Sequence, residues 1–288
     1  MRSVVVTGAS TGIGYATAKT LIATGFRAFG SVRNKADAER VSKELGPNFT
    51  PLIFDVTDEQ AVKNAASQVR AALNGETLAG LVNNAGISVP GPVLEVPIAD
   101  FRRQLEINVI GQVIVLQAFA PLLGVDPSLK GPKGRIVMIS SVAGKRSLPF
   151  AGPYAASKHA VEGLSESLRR ELMLFGIDVI VIGPGPIKTA IWEKGEKADL
   201  ARFGNTPYFE ALKKMRGMMQ GAGASGLPAE DVGQLVLHAL TGRKPWTRYT
   251  ITPGHATRML MSFLPKRVQD RMIAKRLGLL PKEKQAAS

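Results

Sequence analysis

The sequence predicts an α/β fold in which a parallel sheet is wound on both faces by helices. Three observations carry that prediction. Short apolar runs alternate with helix-like stretches along most of the chain, as successive βαβ units require. The first run ends in a glycine-rich turn, Gly8-Ala9-Ser10-Thr11-Gly12-Ile13-Gly14, that leads directly into a helical pattern. Later runs end in small, amide-bearing or hydroxyl residues, at the strand ends where doubly wound sheets bind ligands.

Composition narrows the function classes. The chain has 288 residues, 45% of them hydrophobic, enough for a substantial core in one large domain or two small ones. Cysteine is absent, which excludes disulfides and thiolate metal sites and suits a reducing, cytoplasmic setting. No metal site is expected. Lysine and arginine number 37 against 23 acidic residues, a net charge of +14. Such an excess attracts nucleic acid, anionic membranes and anionic cofactors alike. No nucleic-acid motif accompanies it, so that partner is not expected. No uninterrupted apolar stretch of about 18 residues indicates a transmembrane helix, and the N-terminus lacks a signal-peptide layout.

The elements follow in order. Residues 3–7, SVVVT, read as a buried strand. In the turn that follows, Gly8 permits a tight bend, while Gly12 and Gly14 let the backbone approach a pyrophosphate. The next helix N-terminus supplies amides and positive potential. The spacing is G-x-x-x-G-x-G, not the commoner G-x-G-x-x-G, and alone it also fits a structural turn. Residues 27–32 form a second strand ending in Ser31-Val32-Arg33-Asn34. A carboxylate that would grip the ribose of NAD is missing there. Arg33 stands where a guanidinium pairs with a 2′-phosphate; its plain alternative is a solvated surface arginine. Missing acid and present base together favour NADP over NAD.

A helix over 35–45 and a strand over 51–54 come next. Asp55 is placed to accept a hydrogen bond from an adenine amine, and Asp58 to cap a helix reaching residue 73. The strand over 78–82 runs into Asn83-Asn84-Ala85-Gly86, suited to close approach of backbone to a cofactor or to a simple turn. Residues 98–123 read as one long helix containing Asn108, whose buried amide demands an internal water or a backbone contact. After a polar insertion at 127–132, the strand over 135–140 delivers Ser141, and a helix over 153–175 carries Tyr154 and Lys158. A sixth strand over 178–182 precedes Gly183-Pro184-Gly185-Pro186-Ile187-Lys188-Thr189. A helix from Pro228 and a last strand over 249–252 complete the alternation.

The chemistry concentrates in Ser141, Tyr154 thirteen residues later and Lys158 four residues after that. On a helix the last two share a face. A lysine beside a phenol favours the phenolate, bringing a group that ordinarily titrates near ~10 towards use as an acid or base. Ser141 can donate a hydrogen bond to a carbonyl oxygen in the same pocket.

Taken together, TGASTGIG, DVTD, NNAG, Asn108, the Ser141/Tyr154/Lys158 spacing and PGP-x-x-T resemble the short-chain dehydrogenase/reductase family in its compact single-domain form, from Val4 to about Thr189. The resemblance implies a Rossmann-like fold with a seven-stranded sheet, and often a dimer or tetramer through the two long helices. It implies a catalytic tetrad. Tyr154 is the acid/base, Lys158 lowers its pKa and holds the nicotinamide ribose, Ser141 polarises the substrate carbonyl, and Asn108 keeps a water in a relay to Lys158. The implied cofactor groove runs over Gly8, Ser10, Thr11, Gly12, Ile13 and Gly14. It continues at Arg33, Asn34, Asp55 and Val56, and at Asn83, Ala85 and Gly86. Its nicotinamide end is at Pro184, Gly185, Ile187 and Thr189, beside Tyr154 and Lys158. Pro186 and Trp192 join Ser141 and Tyr154 as expected substrate contacts.

The last third is read more coarsely. Residues 1–255 are expected to be one cofactor-binding and catalytic domain, with 190–227 covering the substrate. Trp192, Phe203, Tyr208, Phe209, Met215, Met218 and Met219 suit an adaptable apolar site, or a helix over 208–219 burying its own stripe. Gly221, Gly223 and Gly226 mark a hinge. Residues 256–288 form a basic amphipathic extension. It either touches an anionic membrane or caps the domain or a partner subunit, and Pro265 favours the cap. The leading functional expectation is an NADP-dependent oxidoreductase interconverting a secondary alcohol and a ketone, or an aldehyde, on an apolar, steroid-, retinoid- or lipid-like small molecule. The alternative is a non-catalytic dinucleotide-binding regulator, whose signature, a missing tetrad member, is not present. An isomerase or epimerase would call for a larger C-terminal substrate domain than this chain has.

Overall fold

The computed structural model describes residues 1–189, 200–254 and 263–281. Its centre is a seven-stranded sheet of order β3-β2-β1-β4-β5-β6-β7. The strands are β1 Ser3–Val6, β2 Arg27–Val32, β3 Phe49–Ile53, β4 Gly80–Asn83, β5 Arg135–Ile139, β6 Asp178–Pro184 and β7 Arg248–Ile251. Every neighbouring pair is parallel. The order reverses direction beside β1, which opens a crevice at the carboxyl ends of β1 and β4.

Successive strand residues face opposite sides, and the two cores follow that alternation. Val5, Phe29, Leu81, Ile136 and Met138 pack on one side against α3 (Glu59–Leu73), α5 (Gly111–Phe119) and α6 (Gly152–Glu171). Val4, Val6, Val82, Val137 and Ile139 pack on the other against α1 (Gly12–Ala23), α2 (Lys35–Leu45) and α8 (Ala229–Thr241). Both faces are covered, so the strand runs are continuously apolar, as the sequence suggested.

Boundaries differ where pairing overrides local pattern. β3 begins at Phe49, because Phe49 and Thr50 pair with Ala28 and Phe29. Its Pro51 is tolerated because β3 is an edge strand. β6 runs on to Pro184, which pairs with Ile251 of β7. The helical run Ile98–Leu123 is long and apolar enough to cross a membrane by length and composition, unlike the expectation from uninterrupted runs. In the fold its α5 portion belongs to the sheet's hydrophobic core. It is not uniform either: α4 (Ile98–Leu105) passes into a π turn, Glu106–Ile110, before α5.

Beyond β6, α7 (Phe209–Ala224) buries Ala211, Leu212 and Met215 against Phe150, Phe203 and Leu277. The helix thus buries an apolar stripe of its own. Gly221 and Gly223 lie inside it rather than in a linker, which removes them from the expected hinge. Leu277 ends α9 (Lys266–Leu277), so the basic C-terminal helix is joined to α7 through its apolar side. Trp192 lies outside the described residues, as do 255–262 and 282–288.

Candidate active site

The glycine turn is built where the sequence put it. Gly8 and Gly12 adopt φ of 68° and 59°, the left-handed region that favours glycine. A Cβ on Gly14 would stand 2.2 Å from Gly8 O. Thr11 is the N-cap of α1, yet its side chain caps no amide. The first-turn amides therefore stay open to an anion at the positive end of the helix. The residues fit a dinucleotide pyrophosphate by both tests. Among the described residues, no cluster of metal-ligating side chains appears.

Two hydroxyls not singled out as site residues, Thr7 and Ser31, hold this turn. Thr7 Oγ1 accepts from the backbone amides of Asn84 (2.9 Å) and Ala85 (3.0 Å), and Asn84 Nδ2 donates to Thr7 O at 2.8 Å. Gly8 N donates to Ser31 Oγ at 2.8 Å. Together they fix the ends of β1, β2 and β4 against one another. That the Thr7 and Ser31 hydroxyls pair with these neighbours is legible only once strand order is known.

At the adenosine side, Arg33 is exposed just beyond β2. Asn34 is the N-cap of α2, its Oδ1 accepting from Asp37 N at 2.8 Å. Arg40, not anticipated, donates from Nη2 to Ser10 O at 2.8 Å and pairs with Asp37 at 3.0 Å. A second guanidinium thus lies against the glycine turn. Asp55 Oδ1 accepts from Thr57 N and Oγ1, while Val56 packs on Gly111. Asn83, expected at the cofactor, turns its side chain inward: Nδ2 donates to Gln112 O at 2.9 Å and the residue is fully buried. Ile187, also expected there, is 3% exposed and packs in the sheet core. In both cases burial on a neighbouring element decides the direction of the side chain.

The segment after β6 joins the two halves of the crevice. Ser141 Oγ donates to Pro184 O at 3.4 Å. Gly185 N donates to Ile251 O at 2.8 Å, and Pro186 O accepts from Leu227 N at 3.1 Å. At the other end, a Cβ on Gly12 would lie 3.3 Å from Thr189 Cβ. Residues 184–189 therefore run from Ser141 to the glycine turn.

Asn108 lies in the π turn and is fully buried. Its Oδ1 accepts from Ile87 N at 2.8 Å; its Nδ2 donates to Ile87 O at 3.0 Å and Ser157 Oγ at 3.1 Å. Of the two expectations for this amide, the structure supplies the backbone contact. A widened turn of this kind re-aims one side chain without ending the helix. Gly86 leaves room for it, since a Cβ there would meet Asn108 Oδ1 at 3.1 Å.

Ser141, Tyr154 and Lys158 come together. Ser141 Oγ accepts from Ala143 N at 3.1 Å, and its hydroxyl acts on the Tyr154 phenol in the direction opposite to burial. Lys158 is 4% exposed; its Nζ donates to Ile139 O at 2.9 Å and lies 5.8 Å from the Tyr154 ring centroid. Burial takes its ammonium down to about 8, with the charge of Glu162 acting in the opposite direction. The expected lowering of the phenol by Lys158 is not the net effect. Burial pushes the Tyr154 phenol up, and the Ser141 hydroxyl opposes it.

The chain matches a family model described as short chain dehydrogenase over residues 2–199. It is similar to an NADPH-dependent 3-dehydrocapnine reductase of Ornithobacterium rhinotracheale, with 39% identity covering 98% of this chain and 100% of the relative. Retinol dehydrogenase 5 of Homo sapiens is 32% identical over 98% of this chain and 90% of its own. A solved short-chain dehydrogenase/reductase from Burkholderia phymatum, in complex with NAD, superposes with a TM-score of 0.77 at 25% identity, covering 94% of this chain and 95% of that one.

Proposed function

Because the chain belongs to the short-chain dehydrogenase/reductase family, and is therefore an oxidoreductase of CH–OH groups and their carbonyls that binds a nicotinamide dinucleotide, we propose that it is an NADPH-dependent reductase of a ketone on an apolar small molecule. The observation that carries this reading is the placement of the Lys158 ammonium 5.8 Å from the Tyr154 ring, with Ser141 bound to Pro184 O at the start of the 184–189 segment that reaches the glycine turn.

The dinucleotide supplies a hydride when bound. The chain's own residues do the rest. The α1 amides and Gly8, Gly12 and Gly14 hold the pyrophosphate, with Ser10, Thr11 and Ile13 completing the turn. Ala85, Gly86, Pro184 and Thr189 line the way to the nicotinamide end. Ser141 donates a hydrogen bond to the substrate oxygen, and Tyr154 gives that oxygen its proton. Preorganised donors aimed at developing negative charge stabilise the transition state. A phenol raised by burial keeps its proton at neutral pH, the form that reduction draws on. Lys158 holds the nicotinamide ribose and stabilises the phenolate left behind. Asn108 secures the backbone of Ile87 and, through Ser157, the first turns of α6.

NADP preference is supported by Arg33, by Arg40 on the glycine turn, by the missing carboxylate after β2, and by the NADPH dependence in the name of the Ornithobacterium relative. The substrate class is supported by Phe150, which lies four residues before Tyr154 and packs with Phe203, Tyr208 and Met218. That same relative is named for a 3-dehydro compound. We infer that α7 covers the substrate and that α9 caps α7. Exposed Val93, Leu94 and Ile98 beside α4 support a homo-oligomer. The test is a screen of long- and short-chain ketones, 3-dehydrocapnine included, followed by nicotinamide absorbance. NADPH-dependent turnover of an apolar ketone, abolished in Tyr154→Phe, is expected. No turnover of any ketone or alcohol with either cofactor overturns the proposal.

A further inference from the structure

Glu162 is a buried carboxylate, 8% exposed, that the chemistry above leaves unused. It follows Lys158 by one turn of α6, so the two side chains share a face. Arg248 of β7 grips it with two bonds, Nε to Oε2 at 2.9 Å and Nη2 to Oε1 at 3.1 Å. Lys145, after the turn that follows Ser141, adds Nζ to Oε2 at 3.4 Å.

The carboxylate sits where three segments of the site meet. A Cβ on Gly144 would lie 2.7 Å from Ser140 Oγ, 2.9 Å from Lys158 O and 3.0 Å from Glu162 Cγ. The turn after Ser141 is thus pressed onto α6 at Lys158 and Glu162. A Cβ on Gly183 would lie 2.7 Å from Arg248 Nη2, so the same guanidinium also packs on the end of β6 just before Pro184.

A buried ion pair is weak evidence for stability, since an apolar pair of similar volume often does as well. Its electrostatic role is more specific. Lys158 is faced by Tyr154 and Glu162 on its own helix and by the Ile139 carbonyl of β5. Glu162 is faced by Arg248 from β7 and Lys145 from the turn. Burial would raise the Glu162 carboxyl, but the Arg248 hydrogen bonds and the charges of Arg248 and Lys145 outweigh it, so it stays ionised below the usual range. Glu162 is then a fixed negative charge one turn from a buried ammonium.

We propose that Glu162 is a positioning residue for proton transfer, acting through Lys158 by keeping its ammonium charged and through Arg248 by fastening α6 to the end of β6. This rests on reading Tyr154 and Lys158 as the proton-transfer pair. The experiment is an NMR titration of the Lys158 side chain in isotopically lysine-labelled full-length protein, with no substrate present. Wild type is compared with Glu162→Gln, with Glu162→Asp, and with Glu162→Leu combined with Arg248→Leu, which replaces the pair by apolar groups. Removing the carboxylate shifts the Lys158 titration to lower pH by at least about half a unit, roughly three-fold in its acid constant, in both Glu162→Gln and the double variant. Glu162→Asp restores most of the shift. NADPH binding, followed by fluorescence, weakens at a correspondingly lower pH. An unmoved Lys158 titration in the folded double variant overturns the proposal even if Glu162→Gln does not fold. The titration needs no turnover, so a protein that reduces no ketone would sink the functional reading while leaving this result standing.

Discussion

The glycine turn and the apolar cluster of the last third are held together by different means. The cofactor wall is backbone: Gly8, Gly12 and Gly14 shape it, and hydrogen bonds from Gly8, Asn84 and Ala85 to Ser31 and Thr7 fix it. The proposed covering wall is side chain: Phe150, Phe203, Met215 and Leu277 meet in an apolar cluster that joins α7 and α9. Backbone geometry tolerates almost no change of side chain, which suits a ligand of fixed chemistry. An apolar cluster repacks when residues of similar volume are exchanged, which suits a wall whose ligand differs among proteins sharing the fold.

This contrast is best broken at the largest effects first. Tyr154→Phe keeps the ring and removes the proton. Turnover is expected to fall by about 10²–10⁴-fold with NADPH affinity retained. Single-turnover rates and a fluorescence titration check it, and activity within a few-fold of wild type removes Tyr154 from its role. The pH profile sharpens the same point. With Lys158 brought to about 8 by burial and the Tyr154 phenol raised above its ordinary value, the first group lost on going alkaline is the lysine charge. kcat/KM for NADPH therefore declines as pH rises through about 8, and a flat profile to pH 10 contradicts it.

On the cofactor wall, Arg33→Asp replaces attraction for a 2′-phosphate by repulsion. The NADPH-over-NADH ratio of kcat/KM is expected to fall by about ten- to a hundred-fold. An unchanged ratio makes Arg33 a surface arginine. Gly14→Ala forces a Cβ to within 2.2 Å of Gly8 O, so NADPH affinity should drop about ten-fold, with a stability loss of about 1–3 kcal/mol by thermal melting. On the covering wall, Met218→Leu conserves volume at the edge of the cluster. KM for an apolar ketone should change within a few-fold, with NADPH affinity unmoved. A large loss of cofactor binding there would mean that the two walls are not separable.

The sequence carried what depends on spacing along one element. Alternating runs gave a doubly wound sheet because strand and helix periods differ. The glycine turn was legible because only glycine enters the left-handed region at no steric cost. Tyr154 and Lys158 could be paired because residues four apart share a helix face. Tertiary structure decided everything that needs a partner distant in sequence. Asn83 turns inward to Gln112, Arg40 reaches back to Ser10, and Glu162 meets Arg248 across 86 residues. Phe150 adopts φ 64°, rare for a bulky residue. Gly91 N bonds its carbonyl at 2.8 Å, and its ring packs edge-on to Tyr208. The direction of the Tyr154 shift belongs here too, because it depends on how much water the fold removes from the phenol. Local periodicity is written in residue order, whereas the partner and solvation of a polar side chain exist only after distant elements have packed.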